Sequence, residues 1–321
     1  MTRRAPLPPA ARAIVKGDLR ALARTISAVE NGDPSADPIL RAIYPRTGKV
    51  PVIGLTGPLG VGKSSLVSAL VGHLRGLGRA VGVVAVDPSS PFSGGSVLGD
   101  RIRLERAPGD TGVFFRSMAS RGSVGGVAAA TRETARLLDA AGFDVILIET
   151  VGSGQVDLAI REVASTRVVV LVPHLGDEVQ TLKAGLFEIA DVFCVNKSDL
   201  PGAGSAERDL AELVSLGGGR DGWSPPIVAT STVTPSGIDR LWAAIESHQR
   251  FLDSSGGRLS GERLRLKQEI VGRVRDEVAA ELAERLDKDP GLRDLLDRVV
   301  ARTLDPRSAA DRLLAASRRG R

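Results

Sequence analysis

Gly57-Pro58-Leu59-Gly60-Val61-Gly62-Lys63-Ser64 is a complete G-x-x-x-x-G-K-S run, set directly after an apolar stretch (residues 50–56) and before a helix-prone segment. Strand, glycine-rich turn and helix in that order are what oxyanion binding by a backbone requires. The glycines let successive N–H groups point at a phosphate, and the positive end of the helix dipole adds to them. Lys63 is expected to neutralise β- and γ-phosphate oxygens, the Ser64 hydroxyl to ligate Mg²⁺, and Ser65 to donate to an α-phosphate. Residues 57–65 therefore predict nucleotide binding.

Working outward, short β-rich runs alternate with helical segments from residue 50 to about residue 250. The expected strands are 50–56, 80–86, 113–116, 144–150, 167–173, 191–196 and 227–231. This alternation predicts an α/β fold with a doubly wound, mostly parallel sheet. Val168-Val169-Val170-Leu171-Val172 is apolar throughout, as suits a strand covered on both faces. Before the sheet, Ile14, Leu19, Leu22, Ile26 and Val29 recur at helical spacing until Asn31-Gly32-Asp33-Pro34 breaks the pattern. After it, Ser254-Ser255-Gly256-Gly257 reads as a linker. Leu264, Val271, Val274, Val278, Leu282 and Leu286 then stripe one long helix, and two shorter helices are expected beyond Asp289-Pro290-Gly291. The expected division is a helical extension (1–45), a nucleotide-binding domain (46–250) and a helical arm (251–321). A narrow apolar seam on an otherwise polar helix fits pairing between helices, so the arm is expected to form a homodimer.

Composition removes several classes of function. The 321 residues carry 42% hydrophobic and 25% charged side chains, ordinary values for a folded chain. Lys+Arg 43 against Asp+Glu 38 gives a net charge of +5, but Arg3, Arg4, Arg12, Arg318, Arg319 and Arg321 cluster at the ends. The excess reads as solvated termini, with no nucleic-acid or membrane partner. One cysteine, Cys194, excludes an internal disulfide. With His73, His174 and His248 it is too scattered for a zinc site of the usual kind. No apolar stretch reaches about 18 residues and no hydrophobic signal core opens the chain, so a cytoplasmic protein is expected.

The base is read from Asn196-Lys197-Ser198-Asp199, an N-K-x-D at the C-terminal end of an expected strand, where open α/β sheets bind ligands. A carboxylate at Asp199 accepts from guanine N1–H and the exocyclic amine, a donor pair that adenine lacks. Asn196 positions the loop, and the Lys197 stem covers the ring face. Ser231-Thr232-Val233 falls where a second base-contacting loop belongs. GTP or GDP is the expected ligand.

Acids at strand ends supply metal and catalytic candidates. Asp87 opens a loop running to Asp100, and Glu149 closes a strand before Thr150-Val151-Gly152-Ser153-Gly154-Gln155. Mg²⁺ takes hard oxygen ligands and keeps several waters, so Ser64 with one or two of Asp87, Asp100 and Glu149 suffices. The Gly152 N–H stands where a γ-phosphate would be sensed. Asp100, Glu149 and Gln155 all remain candidates for the group that positions or activates water, alongside Lys63 as the catalytic cation.

Taken together these stretches resemble the MeaB/ArgK-type G proteins, which act as chaperones for adenosylcobalamin-dependent acyl-CoA mutases. The likeness runs through the phosphate loop, Ala85-Val86-Asp87-Pro88-Ser89-Ser90, and Gly94-Gly95-Ser96-Val97-Leu98-Gly99-Asp100-Arg101. It continues in Arg121-Gly122-Ser123-Val124-Gly125-Gly126-Val127, Glu149-Thr150-Val151-Gly152, Gly176-Asp177-Glu178-Val179-Gln180, the N-K-x-D, and Asp305-Pro306. It implies a P-loop GTPase of the SIMIBI class in which Asp87, Asp100 and Glu149 form the metal and switch cluster. It also implies that Asp177, Gln180 and Lys183 signal to a methylmalonyl-CoA-mutase-type client, gating its cofactor loading, and that the C-terminal helices dimerise. Two runs depart from the family pattern: Ser153-Gly154-Gln155-Val156-Asp157 after the E-T-V-G, and Pro173-His174-Leu175 before Gly176-Asp177-Glu178. Both fall in switch loops. Two alternatives stay open on residues alone. A small-molecule P-loop kinase would use Arg101, Arg103 and Arg106 as a lid. A nickel-delivery GTPase would need a Cys/His cluster.

Overall fold

The computed structural model describes residues 6–87, 110–119, 124–150, 160–173, 186–217 and 222–319. Asp100, Gly152, Gln155, Asp177, Gln180 and Lys183 lie outside them, and for Asp87 only the backbone is described. The chain divides into two compact units, Met1–Arg265 and Leu266–Arg321.

All seven expected strands form: β1 (Val52–Thr56), β2 (Val81–Asp87), β3 (Val113–Ala119), β4 (Val145–Thr150), β5 (Thr166–Leu171), β6 (Val192–Val195) and β7 (Ile227–Ala229). They make one sheet in the order β3-β2-β4-β1-β5-β6-β7, with every neighbouring pair parallel. The chain leaves β1 toward β2 on one side and reaches β5 on the other. The C-terminal end of β1 is thus a topological switch point, where such sheets open a ligand crevice.

Both faces of the sheet are covered because its residues alternate between two cores. Val84, Val86, Ile146 and Ile148 face one cluster, while Val81, Val83, Val145 and Leu147 face the other. Over the first lie α1 (Pro9–Val15), α2 (Leu19–Glu30), α3 (Asp37–Ile43) and α5 (Val124–Ala140). Over the second lie α4 (Lys63–Gly76) and α8 (Ile238–Ser254), through Leu66, Leu70, Leu241 and Ile245. Phe193 and Val195 of β6 meet α6 (Leu186–Ile189) and α7 (Ala203–Gly217) in a third cluster. Each fully buried aliphatic chain contributes about 1.5–3 kcal/mol against exposure, so these clusters fix the strand ends from which the site is built.

Two details differ from the sequence reading. The N-terminal periodic segment is two helices, because Lys16-Gly17-Asp18 ends α1 and the Asp18 carboxylate caps α2 by accepting from the Arg20 and Ala21 N–H groups. Ser254-Ser255-Gly256-Gly257 is a tight helix–helix joint, not a linker. Gly256 turns through φ +72°, the Ser255 hydroxyl donates to the carbonyl of Phe251, and α9 (Gly257–Lys288) starts at once. Its first turns stay with the first unit: Arg258 pairs with Asp253 and donates to the Gln249 side chain.

In the second unit, α9 continues and is followed by α10 (Pro290–Val300) and α11 (Pro306–Arg319). α9 has no buried residue, and Val271 and Val274 of its apolar stripe are exposed. Among the described residues no helix is long and apolar enough to cross a membrane.

Candidate nucleotide site

The site grows from the C-terminal ends of β1, β4, β6 and β7. β1 delivers Thr56 and then Gly57, whose backbone passes so close to β5 that a Cβ there would stand 2.2 Å from the carbonyl oxygen of Val170. The loop closes at Gly62, with φ +89°, immediately before α4. A Cβ at Gly62 would stand 2.6 Å from Nδ2 of Asn196. Lys63, the first residue of α4, is buried. Its ammonium donates to the carbonyls of Gly57 (2.6 Å) and Pro58 (2.8 Å), so the charge is held inside the loop.

Glu149 sits one residue from the end of β4, in register with Leu55 of β1 and Ala85 of β2. That register places Glu149, a residue only 7% exposed, beside the start of α4. The Ser64 hydroxyl donates to Oε1 of Glu149 at 2.5 Å. Next to it Thr150 donates to the hydroxyl of Thr56 (3.1 Å), joining the strand ends that carry the two loops. Asp87 ends β2 one strand further out, with its Cα paired to Ala119.

The residues present suit a magnesium ion bound with phosphate. Ser64 and Glu149 offer hard oxygen donors in contact, the donor type a magnesium ion takes while keeping several of its waters. Among the described residues no group of three or more His, Cys, Asp or Glu could hold a metal. An ion here would draw its remaining ligands from phosphate, solvent and residues beyond those described.

β6 ends at Val195, and the N-K-x-D loop that follows is tied to the phosphate loop at two points. Nδ2 of Asn196 donates to the carbonyl of Val61 (2.9 Å), and the Lys197 ammonium donates to the carbonyl of Gly60 (2.8 Å). Lys197 takes φ +54°, a left-handed conformation between β6 and Asp199. The Ser231 hydroxyl donates to Oδ1 of Asp199 and accepts from the Thr234 N–H (3.1 Å). Ser231 thus holds the Asp199 carboxylate, while Val233 beside it is exposed. Thr230 is a participant that sequence reasoning missed, since the weight fell on Ser231-Thr232-Val233. Its hydroxyl donates to Oδ1 of Asn196 (3.1 Å).

A glycine loop feeding the first turn of a helix at the centre of a parallel sheet, with an N-K-x-D loop laid against it, is the architecture of a P-loop GTPase. The family model for the methylmalonyl-CoA mutase-associated GTPase MeaB matches residues 22–287, and the chain belongs to that family. It is similar to a protein of Pyrococcus horikoshii whose own GTPase assignment is provisional, at 46% identity over 93% of this chain and 94% of that one. It is 33% identical to the GTPase ArgK of Escherichia coli over 98% and 97% of the two chains. Identity to the mouse mitochondrial methylmalonic aciduria type A homolog is 34%, covering 82% of this chain and 65% of that one. Among solved structures, one described as a LAO/AO transport system kinase superposes with a TM-score of 0.74 at 28% identity, over 99% of both chains.

Proposed function

We propose that the protein binds and hydrolyses GTP with Mg²⁺ and uses that cycle to gate cofactor loading of an adenosylcobalamin-dependent acyl-CoA mutase. The observation that carries the nucleotide part is the double tie of Asn196 and Lys197 onto the carbonyls of Val61 and Gly60. It supports reading Asp199, two residues on from Lys197, as the guanine contact and residues 57–65 as the phosphate cradle. The client is inferred from the family, whose description names methylmalonyl-CoA mutase.

In this reading the loop N–H groups and α4 bind the β-phosphate, and the Lys63 ammonium moves from its carbonyl partners to oppose charge gathering between the β- and γ-phosphates. Magnesium, when bound, supplies electrostatic stabilisation of the leaving group, held by Ser64 with Glu149 and with Asp87 and Asp100 as further candidates. Asp199 reads the base, with Asn196, Lys197 and the 231–233 loop around it. Gly152 senses the γ-phosphate, and Asp100, Glu149 or Gln155 orients water. Asp177, Gln180 and Lys183 carry the signal to the mutase, and the helices of the arm, which expose Val271 and Val274, pair in a homodimer.

The test is phosphate release from Mg·GTP by the full-length protein, alone and with a purified methylmalonyl-CoA mutase. Turnover that responds to the mutase supports the proposal. Guanine-nucleotide binding with no effect of the mutase would leave a GTPase serving some other client.

A further inference from the structure

We propose that Arg265, with Arg258, Arg167 and Arg132 around it, forms a binding site for a phosphate-type oxyanion at the edge of the sheet opposite the nucleotide site.

All four arginines lie in the first unit. Arg132 stands on α5, Arg167 in β5, and Arg258 and Arg265 on the first turns of α9. The start of β5 is where they meet. Arg167 holds Asp191 with two hydrogen bonds of 2.7 Å, and Arg132 pairs at 3.2 Å with Glu162, just before the strand. The Gln249 amide donates to the hydroxyls of Ser165 (3.2 Å) and Thr166. Its oxygen accepts from Arg258 at 2.9 Å, which brings the root of α9 to the same place. Parallel strands all begin at the end away from the phosphate loop, so the two sites do not overlap.

Seven residues carry a helix round to within about 20° of the same direction, so Arg265 shares the face of Arg258. Its guanidinium reaches back along α9, with Nη1 3.3 Å from where a Cβ on Gly261 would stand. Arg167, Arg258 and Arg132 each hydrogen-bond a carboxylate. Arg265 does not: among the described residues it donates no hydrogen bond and makes no ion pair. It is nonetheless half-buried. Burial holds its pKa below the ordinary guanidinium value, and Arg167, Arg258 and Arg132 push the same way, with Glu262 opposing them.

A guanidinium stripped of part of its water, facing three like charges and no bonded acceptor, is unfavourable as it stands. An oxyanion supplies both the missing acceptor and the missing charge. Donors that come from a helix, a strand and a second helix do not share one plane. A tetrahedral phosphate offers acceptors in several directions and carries nearly two charges, whereas a carboxylate offers two oxygens and one charge. Bound there, the phosphate ties the first turns of α9 to α5 and β5.

Thermal unfolding of the full chain in inorganic phosphate, acetate or chloride at equal ionic strength tests this. Phosphate settling in the phosphate loop stabilises every variant alike, so differences between variants report this site. Without phosphate, Arg265→Gln should unfold no lower than wild type, because repulsion is relieved. With phosphate, wild type should gain stability, and the affinity read from that gain should fall about tenfold in Arg265→Gln, the loss of one charge-assisted contact. Arg265→Lys keeps the charge without the planar fork and should fall between them. Arg263→Gln, which removes the same charge from an exposed neighbour, should respond as wild type does. Phenyl phosphate acting as well as inorganic phosphate assigns the site to a phosphomonoester, and a response to inorganic phosphate alone assigns it to the free ion. Arg265→Gln less stable than wild type in chloride would make Arg265 a structural residue and overturn the site. So would an equal phosphate response in wild type and Arg265→Gln, or acetate stabilising wild type as much as phosphate does.

Discussion

Gly62→Ala is the sharpest single perturbation of the loop, because two separate costs can be worked out for it. At φ +89° an alanine takes a left-handed conformation that disfavours a Cβ by about 1–2 kcal/mol. The new Cβ would also lie 2.6 Å from Nδ2 of Asn196, against about 3.5 Å for relaxed contact. The amide must then retreat by about 0.9 Å, which breaks its 2.9 Å bond to Val61 and forfeits about 1 kcal/mol more. The total is about 2–3 kcal/mol. Gly60 provides the internal control. It has φ +78° and nothing within 4 Å of an added Cβ, so Gly60→Ala should cost the conformational part alone, about 1–2 kcal/mol. Thermal unfolding of the nucleotide-free proteins measures both, at about 1–2 °C per kcal/mol for a chain of this size. In an Asn196→Ala background the excess at Gly62 should vanish, since the atom it collides with is gone. Equal losses at Gly60 and Gly62, or an excess that survives Asn196→Ala, would refute the steric account.

Lys63→Ala should abolish phosphate release from GTP, whereas Glu149→Ala should keep GDP and lose the Mg²⁺-dependent step. Unchanged turnover in either removes that residue from the mechanism. His248 is buried against Trp223 and Phe251 and hydrogen-bonds Thr166 at 2.7 Å. Burial holds its pKa below the ordinary imidazole value, Asp191 opposing and Arg167 and Arg258 reinforcing. The unfolded chain therefore takes up a proton that the folded one refuses. The His248 contribution to stability is full above about pH 6.5 and is lost as pH falls from there toward the lower folded value. Urea midpoints from pH 7.5 to 5 should fall, and His248→Asn should flatten that part of the slope. A chain ending at Arg265 should sediment as a monomer that still binds GDP; a dimer of that fragment would place the contact elsewhere.

The fold was legible because its signals are local. Seven short apolar runs alternating with helix-prone segments were enough to place every strand, and the phosphate loop identified the central one. What escaped the sequence depends on contacts between distant residues. Ile14 and Leu19 read as parts of one periodic segment until Asp18 is seen capping a new helix. Ser254-Ser255-Gly256-Gly257 has a linker's composition, yet Gly256 turns the chain and Arg258 reaches back to Gln249. At the site, Asp199 and Lys63 declare themselves by residue type and spacing. Thr230 does not, since a threonine ending a short strand is unremarked until its hydroxyl is found on Asn196, 34 positions earlier.

The central claim, that this edge of the sheet reads guanine and holds its phosphates together, is tested most directly at Asp199. Competition binding should measure GDP, XDP and ADP against wild type and Asp199→Asn. Wild type should prefer GDP strongly over both others. The amide variant loses one charge-assisted pair, about 1.5–3 kcal/mol or about 10–150-fold, and gains a donor for the C2 carbonyl of xanthine. The account predicts that GDP weakens by that factor in Asp199→Asn while XDP strengthens and ADP stays weak. GDP bound equally well by both proteins, or ADP preferred by wild type, would contradict it.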